Sequence, residues 1–133
     1  MAKPSGIKII VVLELIIAIL GIATGINLLA DPSGKSMGLD AVIDKVPLND
    51  FTLLGVWFVG PYGLLPALLA YGFWTAKSWA WMFALILASI ELLWVIGQIF
   101  FVGTHVFQAI IGAIALLTVY FLFRSTVKEY LSK

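Results

Sequence analysis

Four long apolar runs make up most of the chain and leave few folds open to it. They cover residues 9–30, 51–74, 79–101 and 106–123. A transmembrane helix needs about 20 mostly apolar residues at a rise of about 1.5 Å each, and every run is close to that length. Hydrophobic residues are 62% of the chain and charged residues 11%, whereas soluble domains carry about 25% charged residues. The sequence predicts an all-α integral membrane protein with one domain over residues 1–133.

The connectors between these runs differ greatly in length. Residues 75–78 and 102–105 form the second and third connectors, and links this short place consecutive helices side by side and antiparallel. The prediction is therefore an up-down four-helix bundle. The first connector, residues 31–50, is the only one with room for structure of its own.

Lysine and arginine are distributed unequally between the two sides of the predicted bundle. One side holds Lys3, Lys8, Lys77, Arg124, Lys128 and Lys133, and the other holds Lys35 and Lys45. Because the side richer in these residues usually stays in the cytoplasm, both termini are predicted to be cytoplasmic. Residues 31–50 then lie outside a plasma membrane, and membrane lipid surrounds the helices.

Several kinds of site are excluded by what the chain lacks. Without cysteine there is no disulfide or thiolate site, and a net charge of +1 provides no basic face for nucleic acid. Gly34-Lys35-Ser36 ends like a nucleotide-binding loop, but Leu29 stands where the first glycine of that motif belongs. His105 is the single histidine, and alone it cannot form a zinc site. We expect no nucleotide, metal, cofactor or catalytic activity.

The first connector carries an amphipathic pattern. Its apolar residues at helical spacing are Leu39, Val42, Ile43 and Val46, and its four acids are Asp31, Asp40, Asp44 and Asp50. A helix of two turns does not persist alone in water, so its apolar stripe must lie on the bundle mouth or in the lipid interface. Asn49 or Asp50 is expected to cap the second long helix. Two interpretations stay open for the connector: a lid over the outer end of the bundle, or a docking surface for a partner or ligand.

Small residues lie on one face of each predicted helix, where they let backbones approach one another in lipid. In the first helix Gly21 and Gly25 form a G-x-x-x-G motif. That motif fits either packing within the chain or dimerisation. In the second helix, Gly60-Pro61 and Pro66 are expected to bend the helix and free carbonyl groups.

Two glutamates inside the apolar runs, Glu14 and Glu91, are the strongest candidates for function. A charged side chain at mid-membrane costs at least about 2.5 kcal/mol on insertion scales, so such residues usually face the bundle interior. Counted from the cytoplasmic ends of their runs, the two lie about 8 Å and about 18 Å deep. They are therefore not expected to form a carboxylate pair. Each acts either as a hydrogen-bonding anchor of the bundle or in proton coupling, cation coupling or ligand binding.

Hydroxyl groups at similar depth are the predicted hydrogen-bond partners of these acids. They are Tyr71, Thr118 and Tyr120 for Glu14, and Thr24, Tyr62 and Ser89 for Glu91. No lysine or arginine lies deep in any run. Each carboxyl is therefore expected to be protonated at neutral pH or bonded to hydroxyl and amide groups.

Further polar residues lie between Glu91 and the first connector. They are Asn27, Gln98, His105 and Gln108. With the acids of the connector above them, these residues predict a polar funnel in the outer half of the bundle. No serine, histidine and acid arrangement supports nucleophilic catalysis.

A resemblance to known proteins covers most of the chain. It rests on Asp31-Pro32-Ser33-Gly34, Met37-Gly38-Leu39, Val46-Pro47-Leu48, Asp50-Phe51, Leu93-Trp94-Val95 to Gln98, and His105 to Gln108. In these stretches the chain resembles a group of small four-span prokaryotic integral membrane proteins that have no assigned activity. Its layout is also similar to that of DoxX-like membrane proteins, which implies an architecture and no activity. Small multidrug transporters share a glutamate in the first span, but the long connector and Glu91 depart from their pattern.

Two functions follow from these features. The first is a non-enzymatic membrane protein that binds a partner protein or a small amphiphile through its outer lid and polar funnel, as an accessory subunit of a larger complex. The alternative is a small proton-coupled transporter that works as a homodimer with Glu91 as its titrating group.

Overall fold

The protein is helical throughout the part of the chain that the structure describes. This computed structural model covers residues 3–35, 49–102 and 106–131, without the side chains of 101–102 and 106–108. Its elements are α1 (Ser5–Ala30), α2 (Thr52–Val59), a π-helical segment (Gly60–Leu64), α3 (Leu65–Trp74), α4 (Trp79–Val102), α5 (Val106–Leu122) and α6 (Ser125–Leu131). The prediction of an all-α protein is confirmed.

Within the described residues, three helices are long and apolar enough to cross a membrane: Ser5–Ala30, Thr52–Trp74 and Trp79–Phe100. A fourth crossing is available there only if α5 and α6 count as one broken span, because the chain bends by 73° between Leu122 and Ser125. The sequence predicted a fourth run that ends at residue 123. The up-down order of four spans stays a prediction.

Helix α1 lies at the centre of the packing, against α2, α3 and α5, while α4 packs chiefly on α5. Two clusters of buried apolar side chains result. The first holds Ile7, Ile10, Leu69, Phe73, Ala80, Ala84, Leu87, Leu122, Val127, Tyr130 and Leu131. The second holds Leu13, Ile17, Leu28, Phe51, Phe58, Tyr62, Ile111 and Ile114. The side chains of both clusters meet across several helices, so the core is shared by the whole bundle.

The G-x-x-x-G motif of α1 is used for packing within the chain. A Cβ added at Gly21 would collide with the carbonyl oxygen of Tyr62 and lie 2.7 Å from that of Phe58. One added at Gly25 would lie 2.6 Å from the carbonyl oxygen of Gly55. Backbone-to-backbone approach of this kind is what small residues permit between helices in lipid. Of the two interpretations of the motif, the structure supports packing and leaves no free face for dimerisation there.

The bend expected at the prolines of the second helix takes the form of the π-helical segment. The amide of Leu65 donates to the carbonyl of Gly60, five residues earlier. Pro61 and Pro66 have no N–H group, so two α-helical hydrogen bonds cannot form here. Pro66 cannot donate a hydrogen bond to the carbonyl of Tyr62, four residues earlier. That carbonyl faces Gly21 of α1. The wide turn and the glycine face of α1 therefore occur at the same level.

The turn between α3 and α4 is stabilised by two backbone hydrogen bonds. The amide of Lys77 donates to the carbonyl of Gly72 at 2.8 Å, and the amide of Ala76 donates to that of Phe73 at 3.3 Å. This is the pattern of a Schellman motif, which needs a residue in the left-handed region at its centre. Ala76 fills that place with φ 58°.

Helix α6 covers one end of the bundle. Its inward residues Val127, Tyr130 and Leu131 are buried, and the Tyr130 hydroxyl donates to the carbonyl of Trp74 at 3.3 Å. A Cβ at Gly6 would lie 2.7 Å from Val127. The N-terminus, the end of α3 and α6 therefore meet, and we call this the basic end because Lys3, Lys77, Arg124 and Lys128 all belong to it.

The opposite end, the loop end, is where the first connector leaves and rejoins the bundle. The amide of Phe51 donates to the carbonyl of Pro32 at 2.8 Å, so the two ends of the connector are tied together. Asp50 accepts a hydrogen bond from the amide of Thr52, the first residue of α2, at 3.0 Å, but the N-cap position predicted for Asn49 or Asp50 is occupied by Phe51. The predicted amphipathic helix between Leu39 and Val46 lies outside the described residues.

Candidate functional site: a buried acid and aromatic cluster

Glu14 and Glu91 are both enclosed in the bundle, with 1% of each side chain exposed. Glu14 lies on the inward face of α1 between Ile10 and Ile17, which are also buried. Glu91 follows Ala88 on α4, where a small side chain leaves room for a neighbouring helix. Both acids face the interior, as the helix-face argument predicted.

The two carboxyls lie at similar heights above the starts of their helices. Helix α1 begins at Ser5, one turn before the apolar run that starts at Ile9, so Glu14 lies nine residues, about 14 Å, above its start. Glu91 lies twelve residues, about 18 Å, above the start of α4. Glu14 lies within electrostatic range of Glu91, and Glu91 lies within range of Tyr62. The prediction that the two acids do not form a carboxylate pair stays a prediction.

Five buried polar atoms at this level have no hydrogen-bond partner among the described protein atoms. They are Glu14 Oε2, Glu91 Oε2, Tyr62 Oη, Trp57 Nε1 and Trp94 Nε1. Leaving a polar group buried and unpaired costs about 1–3 kcal/mol, so such groups are rare in a native structure. Here two acceptors and three donors collect in one region. We call these five residues the acid and aromatic cluster.

The hydroxyls predicted to bond the acids are mostly used elsewhere. Thr118 donates to the carbonyl of Ile114 on its own helix, and Ser89 donates to that of Leu85, each at 2.8 Å. Tyr71 and Tyr120 are 57% and 56% exposed, so they do not reach the interior. Tyr62 alone among the predicted partners is buried beside Glu91.

The three aromatic rings of the cluster lie against one another. The ring centroid of Trp57 lies 5.7 Å from that of Tyr62 and 5.5 Å from that of Trp94, and Tyr62 lies 6.4 Å from Trp94. The sequence reasoning did not include either tryptophan in the site. A signal existed for Trp94, because it follows Glu91 by three residues and therefore shares its helix face. No comparable signal exists for Trp57, whose position depends on the wide turn after it.

Tyr62 lies inside the π-helical segment, and such single wide turns occur often at functional sites. Beside it is a cavity of about 10 Å³ lined by Ile17, Leu20, Gly21, Phe58, Tyr62 and Ile111. That volume is at the lower limit for one water molecule. In this conformation the cavity beside Tyr62 has room for at most one water.

The predicted polar funnel is only partly described. Asn27 is exposed and Gln98 is half-buried, while Asp31 and Asp50 lie at the loop end with partial or full exposure. His105, Asp40, Asp44 and the side chain of Gln108 lie outside the description, so the funnel stays a prediction. The buried polar groups that the structure does place are those of the acid and aromatic cluster.

Comparison with known proteins adds no further assignment: no family model, no curated protein and no solved structure matches the chain. The likeness to four-span prokaryotic membrane proteins and to the DoxX-like layout therefore stays a prediction. Function has to be inferred from the side chains of this molecule.

Proposed function

We propose that the protein is a small proton-coupled membrane carrier in which Glu14 and Glu91 form the proton-binding pair. The observation that supports this function is the enclosure of two carboxyls inside the bundle, each 1% exposed and each with an unpaired oxygen. Acids inside membrane-spanning helices are rare and commonly mark proton relays and ion pathways.

A purely structural role fits the same residues less well. An acid that anchors a bundle does so through hydrogen bonds, yet Oε2 of both Glu14 and Glu91 lacks a protein partner. The hydroxyls of Thr118 and Ser89 serve their own helices instead. Glu14 lies within electrostatic range of Glu91, so in this proposal protonation of one acid depends on the state of the other.

The unpaired donors of the cluster allow a second arrangement of hydrogen bonds around Glu14 and Glu91. Tyr62 Oη and the indole nitrogens of Trp57 and Trp94 are buried unpaired donors, and Tyr62 lies within electrostatic range of Glu91. A deprotonated carboxylate accepts hydrogen bonds only, whereas a protonated carboxyl also donates one. A change of charge on the acids therefore changes which of these donors can be satisfied. That is a route from proton binding to movement of α2, α3 and α4.

A homodimeric form of this carrier is part of the proposal, with one restriction. The glycine face of α1 is filled by the second span. A second copy would therefore have to use another surface, and exposed apolar side chains occur along every long helix.

The test is an infrared pH titration of the purified protein. We expect the carbonyl band of neutral carboxyl groups to change across the physiological pH range in the wild type, because the pair gains and loses protons. Glu91→Gln and Glu14→Gln should each remove part of that change while the helical circular dichroism stays at wild-type strength. Glu129→Gln is the matched control, since Glu129 is an exposed glutamate on α6. A wild-type band that does not respond to pH would contradict proton coupling and favour the structural role.

A second candidate function is binding of a partner protein or small amphiphile at the loop end. The observation that favours it is the hydrogen bond between the Phe51 amide and the Pro32 carbonyl, which closes the connector into a loop at the bundle mouth. Native mass spectrometry of the protein released from its own membrane tests this function. A retained chain or amphiphile would support it, and the bare polypeptide would contradict it.

A further inference from the structure

Cations at the basic end are held against aromatic rings. The Lys3 ammonium lies 4.3 Å from the ring centroid of Trp74. The Lys128 ammonium lies 4.9 Å from the ring of Phe123 and 5.8 Å from that of Trp81. Contacts of this kind keep a cation close to an apolar surface. The basic end therefore combines positive charge with the ring-rich surface typical of a membrane–water interface.

An open groove of about 330 Å³ lies between α6 and the start of α4. It is lined by Ser78, Trp81, Lys128 and Leu131. The Trp81 indole donates to the carbonyl of Leu122 at 2.6 Å, which fixes the ring so that its face forms a wall of the groove. The groove therefore offers one ammonium group, one hydroxyl and a rigid apolar wall. Lys77, next to Ser78 in the chain, is exposed.

The positive charge around the groove favours binding of an anion. Among the described residues of this end, the cations are Lys3, Lys8, Lys77, Arg124 and Lys128, and the one acid is Glu129. Five positive charges against one negative charge leave an excess of about four positive charges here. The 73° bend sets α6 across the axis of α5, so Lys128 is displayed along the end of the bundle rather than along its side.

The surface beside the groove selects a lipid over a free ion. The exposed ring of Phe123 packs on the Trp81 wall, with the two ring centroids 5.3 Å apart, so an exposed apolar surface adjoins the groove. Acyl chains attached to a bound phosphate would cover these side chains. A free anion would gain nothing from them or from the apolar wall of Trp81.

We propose that this groove binds the phosphate headgroup of an anionic phospholipid, with Lys128 and Lys77 as its cationic contacts and α6 lying in the headgroup layer. This inference rests on insertion of the long helices in a membrane. It does not depend on proton binding by the acid and aromatic cluster, so the two proposals can fail separately.

The experiment compares lipid binding by the purified protein in detergent, measured by native mass spectrometry and by thermal unfolding. The probes are phosphatidylglycerol, phosphatidylcholine and inorganic phosphate. We expect phosphatidylglycerol to remain bound and to raise the unfolding temperature more than the other two. Lys128→Gln and Lys77→Gln should each weaken phosphatidylglycerol binding by about fivefold, which corresponds to about 1 kcal/mol per lysine near an anionic surface.

Lys35→Gln is the matched control, because Lys35 is an exposed lysine at the loop end, and it should leave the affinity unchanged. Unfolding without added lipid shows that each variant is folded, as expected for substitutions of exposed side chains. Equal binding of the two phospholipids would overturn the proposal, as would an equal loss in Lys35→Gln. Protection by inorganic phosphate equal to that by phosphatidylglycerol would assign the groove to a free anion and overturn the lipid assignment.

Discussion

Ala76 has a backbone conformation that residues with a side chain seldom adopt. Its φ of 58° lies in the left-handed region, where the Cβ atom crowds the following carbonyl at a cost of about 1–2 kcal/mol. The turn requires that conformation, because the Schellman hydrogen bonds from Lys77 and Ala76 close only around a left-handed residue. The short connection between α3 and α4 is thus built on a strained residue.

Replacing Ala76 with glycine should relieve this strain. Glycine adopts the left-handed region without a steric penalty but loses more freedom on folding, so the expected net gain in the free energy of unfolding is about 0.5–1 kcal/mol. Denaturant unfolding of Ala76→Gly in detergent measures it. A lower free energy of unfolding than that of the wild type would contradict the strained geometry.

Individual residues of the candidate site were predictable to different degrees. Hydropathy and helix faces were enough to place Glu14 and Glu91 inside, because only inward carboxyls are tolerated in an apolar run. The height of Glu14 along its helix was underestimated, since the first helix was taken to begin at Ile9 although Lys8 and Ser5 lie within it. A lysine in a first turn can extend its charge to the interface, so an apolar run marks the membrane-buried part of a helix and not its whole length.

At the scale of elements, the closest approach in the molecule is that of α1 to the second span. Gly21→Ala should lower the free energy of unfolding by about 1–3 kcal/mol or more, because its methyl group would meet the backbone carbonyls of Tyr62 and Phe58. Gly97→Ala is the matched control within a long helix, since an added Cβ there meets nothing within 4 Å. We expect it to raise the free energy of unfolding by about 0.5–1 kcal/mol, because alanine favours a helix interior more than glycine does. A similar loss in both variants, measured by denaturant unfolding, would contradict the close approach of the two helices at Gly21.

The packing of α6 against α1 leads to a second prediction. Val127 is fully buried against the start of α1, so Val127→Ala should cost about 2 kcal/mol: two methyl groups at about 0.8 kcal/mol each, plus a cavity. Thr126→Ala, at the exposed neighbouring position, should be nearly neutral. Thermal unfolding of the two variants separates the outcomes, and an equal midpoint for both would mean that α6 does not cover the core.

The long helices could be predicted from the sequence and the short elements could not. Runs of about 20 apolar residues have few alternatives to a spanning helix, whereas α6 has only Val127, Tyr130 and Leu131 to indicate its buried face. Those three recur at i, i+3 and i+4, but a pattern of one turn is too short to distinguish from chance. The π-helical segment was expected as a bend at Pro61 and Pro66. Its form depends on where α1 packs, which is tertiary information.

At the scale of the whole molecule, the two ends differ in charge. The basic end collects Lys3, Lys77, Arg124 and Lys128 around aromatic rings, while Asp31 and Asp50 lie at the loop end. The excess of lysine and arginine from which the orientation was predicted is therefore concentrated at one end of the folded molecule. Because the chain contains no cysteine, single cysteines can report the orientation without background.

A cysteine at the loop end, Ser33→Cys, should react with an impermeant thiol reagent added to intact cells. A cysteine at the basic end, Thr126→Cys, should react only after the cells are opened. Both positions are exposed, so the difference reports the side of the membrane and not burial. The reverse pattern would place the connector in the cytoplasm and move the proposed headgroup groove to the outer leaflet.

The π-helical segment of the second span also holds a surplus residue. A wide turn of this kind contains one residue more than the α-helix that would replace it, and it also bends the helix. If the hydrogen bonds shift by one position, the turn moves along the helix and rotates the residue that it passes. Tyr62 lies within that turn, between α2 and α3. Such a shift would redirect its hydroxyl relative to Glu91.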